Sequence, residues 1–369
     1  MKRSDSRIPS LDGLRAFSIA GVLVSHAFFA YGLDHQDLIW VRLLRNLGPL
    51  GVGVFFGISG FLITSLLQRE REQAGRISLT EFYLRRAFRI LPPFWAYVAV
   101  MWLVSAPVPE HGYRNALLFL TDYLPSGWWL GHSWSLSVEE QFYLLWPVTV
   151  VLAGRWSRWA SLVLLLASPV IRVVHGHYDP DADLASMWHT RIDALMAGCW
   201  LALSRQQLRG TAFLRFLTHN LTAAVAAFTL VIGSPLLTIR HEGAWAWPVG
   251  WSLEALAVMA LLAWAVERPE TAAGRFLNWK PVARLGVLSY SLYLWQQPFF
   301  AGESWGTWSG TFPMNVLGAL GMAMVSYALV EQPCLALRDR VIAWRRARRA
   351  HLAPAPAAAN AAAAERDAA

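Results

Sequence analysis

The chain has 369 residues, 56% of them hydrophobic and only 15% charged, well below the roughly 25% charged of ordinary soluble domains. Two cysteines, Cys199 and Cys334, exclude a disulfide scaffold, and no cluster of ligand-type side chains spells out a metal site. The net charge of +8 admits a nucleic-acid partner until its distribution is read, and no polar stretch is long enough to form a soluble domain. Apolar segments near the ~20 residues that cross a ~30 Å hydrocarbon core fall at 14–33, 48–67, 90–106, 138–153, 159–174, 188–203, 221–239, 247–266, 285–301 and 312–332. The expected fold is all-α, a polytopic membrane bundle of about ten transmembrane helices over residues 1–340. Residues 341–369 follow as a basic, then Ala/Pro-rich tail, expected to be cytoplasmic and disordered. The first apolar segment is too long and too interrupted by polar residues for a cleaved signal peptide, so it reads as a retained anchor. The stretch Asn115 to Tyr123 is too short and polar to span and reads as re-entrant or amphipathic.

Arginine dominates the connections that alternate with outer loops: Arg69, Arg71, Arg76, Arg85, Arg86 and Arg89, then Arg155 and Arg158, Arg205 and Arg209, Arg268 and Arg275, and Arg338 to Arg349. Positive residues accumulate on the cytoplasmic side, so a multi-pass protein of the bacterial cytoplasmic membrane with both termini in the cytoplasm is expected. The basic charge is then topological, and nucleic-acid binding is not expected. Trp128, Trp129, Trp134, Trp245, Trp247, Trp305 and Trp308 stand at the ends of apolar runs, where an interfacial aromatic belt is expected.

Polar residues inside apolar segments carry the chemistry. Arg15 and His26 lie eleven residues apart on the first segment, ~16 Å along a helix, one near the surface and one near the bilayer centre. Ionisable groups at that depth usually face a protein interior and mark function, and histidine is the natural general base at neutral pH. Around Glu81 to Pro93, Arg85, Arg86 and Arg89 share helix faces at three- and four-residue spacing. They serve either as a positive-inside anchor reaching lipid phosphates or as a clamp for the phosphates of a cytosolic donor. In Trp134-Ser135-Leu136-Ser137-Val138-Glu139-Glu140, Glu139 and Tyr143 face one way and Glu140 another. Glu140 suits a helix N-terminal charge capped by Ser135 or Ser137, whereas Glu139 is expected to pair with His26 or an arginine. Gly53-x-x-x-Gly57 suits close helix packing that brings the second helix against the His26 face. Arg191 and Asp193, two apart, point differently, and each needs its own partner. His132, His175, His177 and His241 read as ordinary outer-loop histidines.

The ordered set of strings resembles the membrane acyltransferase family 3. They are Leu11-Asp12-Gly13-Leu14-Arg15-Ala16 with His26, Gly53-Val54-Phe55-Phe56 with Ser59-Gly60-Phe61-Leu62-Ile63-Thr64, and Phe82-Tyr83-Leu84-Arg85-Arg86 through Arg89 and Pro92. Trp134-Ser135-Leu136-Ser137-Val138-Glu139 through Phe142-Tyr143 follows, then Leu285-Gly286, Ser289 to Leu294, and Glu331-Gln332-Pro333. The resemblance runs from about residue 8 to residue 340 and implies a ten-helix bundle, with Arg15 and His26 as the essential pair and the Arg85–Arg89 run serving the donor. Some family members carry a fused extracytoplasmic hydrolase-like domain; a stand-alone member is expected here. Relatives often have a histidine after Tyr-Leu-Trp in the ninth span. This chain has Gln296, which reads as a hydrogen-bonding position that an amide can fill.

The resemblance implies a membrane O-acyltransferase with no bound cofactor that moves an acyl group, expected to be acetyl, from cytosolic acyl-CoA to a glycan or other hydroxyl acceptor. His26, Arg15 and Glu139 are the expected catalytic residues; Arg85, Arg86, Arg89, Asp12, Tyr143, Arg191, Asp193 and Tyr293 are expected to hold substrates. The alternative from a different class is a transporter or flippase of a lipid-linked glycan, since buried charges also line translocation paths.

Overall fold

Within a bilayer every backbone N–H and C=O must be satisfied by the chain itself, so long apolar stretches become helices. The computed structural model describes residues 8–32, 38–241, 244–301 and 310–352, and among them it contains helices and no β-strand. In chain order these are α1 (Pro9–Ala30), α2 (Ile39–Arg45), α3 (Leu47–Ala74), α4 (Leu79–Leu103), α5 (Gly112–Leu117), α6 (Gly127–Gly131), α7 (Trp134–Ala153), α8 (Ser157–Tyr178) and α9 (Trp188–Leu208). They continue as α10 (Ala212–Leu217), α11 (Asn220–Phe228), α12 (Ser234–Arg240), α13 (Trp251–Glu267), α14 (Ala272–Leu277), α15 (Lys280–Trp295), α16 (Met314–Ser326) and α17 (Gln332–Leu352). Single π-turns at Thr229–Gly233 and Tyr327–Glu331 join α11 to α12 and α16 to α17, and a third, Ala246–Gly250, leads into α13.

All ten segments predicted from apolarity fall on helical stretches. By length and composition, six stretches among the described residues qualify as spans: Pro9–Ala30, Ile39–Ala74, Gly127–Tyr178, Asn220–Arg240, Ala246–Glu267 and Met314–Arg348. The third of these holds α6, α7 and α8, and α7 gives way to α8 at Gly154, a glycine with positive φ (+54°). The helices that do not qualify have identifiable reasons. α4 carries Glu81, Arg85, Arg86 and Arg89, α9 carries Arg191, Asp193 and Arg205, and α15 has only 16 residues.

Close backbone approach sets the packing. A Cβ on Gly60 of α3 would lie 2.0 Å from the Leu195 carbonyl oxygen of α9, and one on Gly198 would lie 2.1 Å from the Gly57 carbonyl. Only glycine at both positions lets the two helices meet. The expectation for Gly53-x-x-x-Gly57 is corrected: Gly53 faces open space, and Gly57 faces Val258 of α13 rather than the His26 face. α1 meets α3 instead through Gly48, against Ser25, and Gly51, against the Ser18 carbonyl. A fully buried ion pair ties α8 to α9, with Arg172 Nη1 donating to Asp193 Oδ2 at 2.8 Å and to the Thr190 carbonyl at 2.7 Å.

The segment from Asn115 to Tyr123 does not span. It folds as α5 and turns over the start of α7, where Thr121 bonds Ser133 and Ser137. The aromatic-belt expectation is also corrected. Trp128, Trp129, Trp134, Trp245 and Trp247 are buried or half-buried, because they pack against the bundle end or line a cavity in it. Among the described residues, Trp40, Trp95, Trp102, Trp156, Trp159, Trp279 and Trp344 are the exposed tryptophans. Trp305, Trp308 and the tail from Ala353 lie outside the described residues. The bundle thus has two distinct ends: an arginine end, where Ile8, Arg69 and Arg338 gather, and a tryptophan end, marked by Trp128, Trp134 and Trp247.

Candidate active site

A cavity of about 490 Å³ opens at the arginine end between α1, α3, α4, α15 and α17. Arg15, Arg69, Arg86, Arg89 and Arg338 line it, with Asp12 and Glu331 among them. Arg86 and Arg89 reach it together because residues three apart share a helix face. Ser78 starts that helix by accepting the Glu81 amide at 3.4 Å. Arg15 Nη1 lies 3.3 Å from Asp12 Oδ1. Arg86 stacks over the Tyr143 ring at 5.5 Å, and its Nε has no hydrogen-bond partner among the described residues. Arg85 departs from the expected cluster. It turns away to Glu70 (2.7 Å) and Glu81 (3.5 Å), and Glu81 also holds Arg346 at 2.6 Å. With its carboxylate partners in place, Arg85 joins α3 to α4 rather than facing the cavity.

The cavity narrows inward to a chamber of about 90 Å³, and Arg15, Ser59, Arg86, Arg89 and Tyr143 line both spaces. Glu139 sits on the chamber wall, accepting from Ser59 Oγ at 2.7 Å and from Tyr143 O–H at 3.2 Å. Of its two expected partners, Glu139 faces the arginines; His26 bonds elsewhere. Glu139 and Tyr143 share a face, as their spacing requires. Glu140 is not a helix N-terminal charge: it lies well inside α7, and its Oε1 is buried with no hydrogen-bond partner among the described residues. At the blind end, Tyr293 O–H donates to the His132 carbonyl at 2.7 Å, so Ser135 Oγ–H donates in turn to the Tyr293 oxygen, also at 2.7 Å.

His26 lies one helical turn beyond that end. Its Nδ1 is 2.8 Å from Gln296 Oε1, and Gln296 stands three residues after Tyr293, on α15's C-cap. The tautomer follows from a chain of bonds. The Trp128 carbonyl can only accept, so Gln297 presents Nε2 to it (2.7 Å) and Oε1 to Gln296 Nε2 (3.0 Å). Gln296 Oε1 therefore faces His26, whose Nδ1 must carry the hydrogen. The neutral ring is left with a basic lone pair on Nε2, the atom a general base needs. Trp128 also packs against the His26 ring, centroids 5.5 Å apart.

Sequence reading passed over two groups here. Gln297 carries no signal until its partner, the carbonyl of Trp128, is known. His132, expected as an outer-loop histidine, is buried against Tyr97 and Tyr293, with both ring nitrogens unpartnered among the described residues. Its position between two apolar helices of sequence gives no hint of that burial.

Arg191 and Asp193 stand apart from this chamber. Asp193 is paired with Arg172 and also accepts from Ser252 Oγ at 3.0 Å, away from the arginine-lined chamber. The prediction that the two do not pair holds: Arg191 lies over the Trp251 ring at 4.5 Å, at the tryptophan end.

The arginine-lined cavity, the inner chamber and the histidine at the far end of α1 describe a buried, arginine-lined site inside a helical membrane protein. Residues 8–330 match the model of the acyltransferase domain family (acyltransferase family 3), and the chain belongs to that family. It is similar to the O-acetyltransferase OatA of Staphylococcus aureus (strain NCTC 8325 / PS 47), with 29% identity covering 88% of this chain and 57% of that protein. It is also similar to the peptidoglycan O-acetyltransferase OatA of Listeria monocytogenes serovar 1/2a, with 24% identity covering 79% of this chain and 49% of that protein. The chain spans about half the length of these curated relatives. No solved structure matches it.

Proposed function

We propose that this protein is an O-acyltransferase of the bacterial cytoplasmic membrane, moving an acetyl group from cytosolic acetyl-CoA to a hydroxyl of a cell-envelope glycan. The bundle of residues 1–340 crosses the membrane about ten times with the arginine end inside; α4, α9 and α15 cross with their charges turned to protein. The observation that carries this reading is the cavity of about 490 Å³ ringed by Arg15, Arg69, Arg86, Arg89 and Arg338, narrowing toward the turn below His26. Guanidinium forks suit a phosphate-bearing donor, and the narrow chamber suits a thin acyl-bearing arm. The names of the relatives support acetyl as the group and peptidoglycan as an acceptor.

In this mechanism the acceptor hydroxyl attacks the thioester carbonyl while His26 Nε2 takes its proton. The new C–O bond forms, the C–S bond breaks, and the proton returns to the departing thiolate. Arg15, held by Asp12, or the Tyr143–Ser59–Glu139 cluster steadies charge that develops on the carbonyl oxygen. Positioned bases of this kind contribute typically 10²–10⁴-fold. The test is mass spectrometry of envelope glycans from a deletion strain complemented with wild type or His26→Ala. An acetyl mass that returns only with wild type supports the reading. Equal acetylation with His26→Ala, at equal protein level in the membrane, refutes the base assignment.

A further inference from the structure

The largest cavity described, about 770 Å³, lies at the tryptophan end between α3, α8, α9, α12 and α13. That volume is in the range of small-molecule sites. Trp134 and Trp247, both half-buried, present indole surface to it, and Glu254 and Asp183 add carboxylates. Arg191 enters it from the first turn of α9. It is only 5% exposed, yet among the described residues no carboxylate lies within 4.0 Å of it, and its Nε has no hydrogen-bond partner. Its planar contact is the Trp251 ring at 4.5 Å. The neighbouring carboxylates act on Arg191 from a distance but bond elsewhere: Asp193 with Arg172, Glu254 with Ser234 Oγ at 2.5 Å and Asp183 with Ser186 Oγ at 2.8 Å. A buried guanidinium without a partner is costly unless something outside the chain completes it.

Aromatic walls, hydroxyl-accepting carboxylates and one unpaired fork are the chemistry of a carboxylate-bearing sugar. We propose that this cavity is the acceptor site, binding an acidic glycan with its ring against Trp134 and Trp247 and its carboxylate on Arg191. The inference rests on the acyl-transfer reading and locates its second substrate. The two cavities stand back to back. Trp134 lines the outer one and the next residue, Ser135, lines the inner chamber; on α3, Leu50 lines the outer and Val52 the inner. Trp134 also meets Phe56 of the chamber edge-on, centroids 6.1 Å apart. His26 is at the same level, since Ser25 Oγ donates to the Arg45 carbonyl at 2.7 Å, beside Asn46 on the outer cavity's rim.

The test is equilibrium binding to the whole protein in lipid nanodiscs, with glucuronic acid, its methyl ester and glucose as probes and acetyl-CoA titrated separately. The acid is expected to bind about 10- to 100-fold more tightly than its ester, the range for one charge-assisted fork. Arg191→Gln should erase that difference, and Arg191→Lys should keep part of it. Equal binding of acid and ester, or a preference that survives Arg191→Gln, overturns the site. The ester comparison needs no variant, so a variant that fails to fold does not rescue the idea. If acid binding depends on Arg191 while acetyl-CoA neither binds nor donates, the acyl-transfer reading fails and the acidic-sugar site stands. If acetyl-CoA is used but acid and ester bind alike, the failure is confined to the site.

Discussion

At the scale of single residues, the amide chain behind His26 makes a claim separate from that of His26 itself. Gln296→Leu removes the acceptor that fixes the Nδ1–H tautomer, and the ring can then present the wrong nitrogen. kcat is expected to fall on the order of 10²-fold with the donor KM unchanged. Gln296→His should retain activity, since a neutral imidazole also accepts on one side and donates on the other. A fall in KM and kcat together for Gln296→Leu would mean that the amide shapes the site and does not set the tautomer. A second residue-scale prediction concerns Asp122, which lies in the connection between α4 and α7. Burial away from water lifts its carboxyl from 3.8 to about 6, against the opposing pull of the Gln141 amide at 3.0 and 3.1 Å. A raised acid favours the folded state when protonated. Its contribution is full below pH ~4 and is lost as pH rises through about 6. Hydrogen exchange over residues 112–133, corrected for intrinsic rates, should show more protection at pH 5 than at pH 7, and Asp122→Asn should flatten that difference. Arg15 and His26 were legible in sequence because lipid makes a buried charge conspicuous. Gln297 and His132 were not, because their roles depend on partners distant in the chain.

At the scale of helices, two kinds of contact hold the bundle, and each makes its own prediction. Gly198→Leu would drive a side chain into the Gly57 carbonyl, 2.1 Å from where its Cβ must sit. Backbone cannot yield there as a flexible side chain can, so at least the ~1–3 kcal/mol typical of overpacking is expected. Thermal unfolding in detergent, read beside the near-neutral control Gly53→Ala in open space, measures it. The Arg172–Asp193 pair behaves differently. Arg172→Met strands a buried carboxylate and should cost ~3–5 kcal/mol, whereas replacing both residues with apolar ones should recover much of that loss. Sequence pattern located the helices well, since apolar length is a one-dimensional property. It misjudged which glycines do the packing, because Gly51 and Gly60 are distinguished from Gly53 only by what stands opposite. It did not show that Arg85 and Asp193 are ion-paired within the bundle, because residue type alone does not separate a charge with a partner from one without.

At the scale of the whole molecule, the arrangement is polar: an arginine-lined cavity at one end, a tryptophan-lined cavity at the other, and the histidine near the layer between them. The proposed acyl transfer requires a fixed orientation, with the arginine end facing the cytosol that would supply the donor. The chain carries its own reporter. Cys334, half-buried at the start of α17, stands beside Leu335 of the arginine cavity, whereas Cys199 is fully buried in α9. A membrane-impermeant maleimide should label Cys334 in inside-out vesicles and not in intact spheroplasts. Ala185→Cys, an exposed position on the rim of the outer cavity, should show the reverse. The two sites flank different numbers of crossings, so opposite labelling also checks the parity of the span count between them. Acetyl-CoA should slow labelling of Cys334 if the cavity takes the donor, while leaving Ala185→Cys unaffected. Labelling of both positions from the same face would require an odd error in the count, and it would detach the arginine cavity from the cytosolic donor.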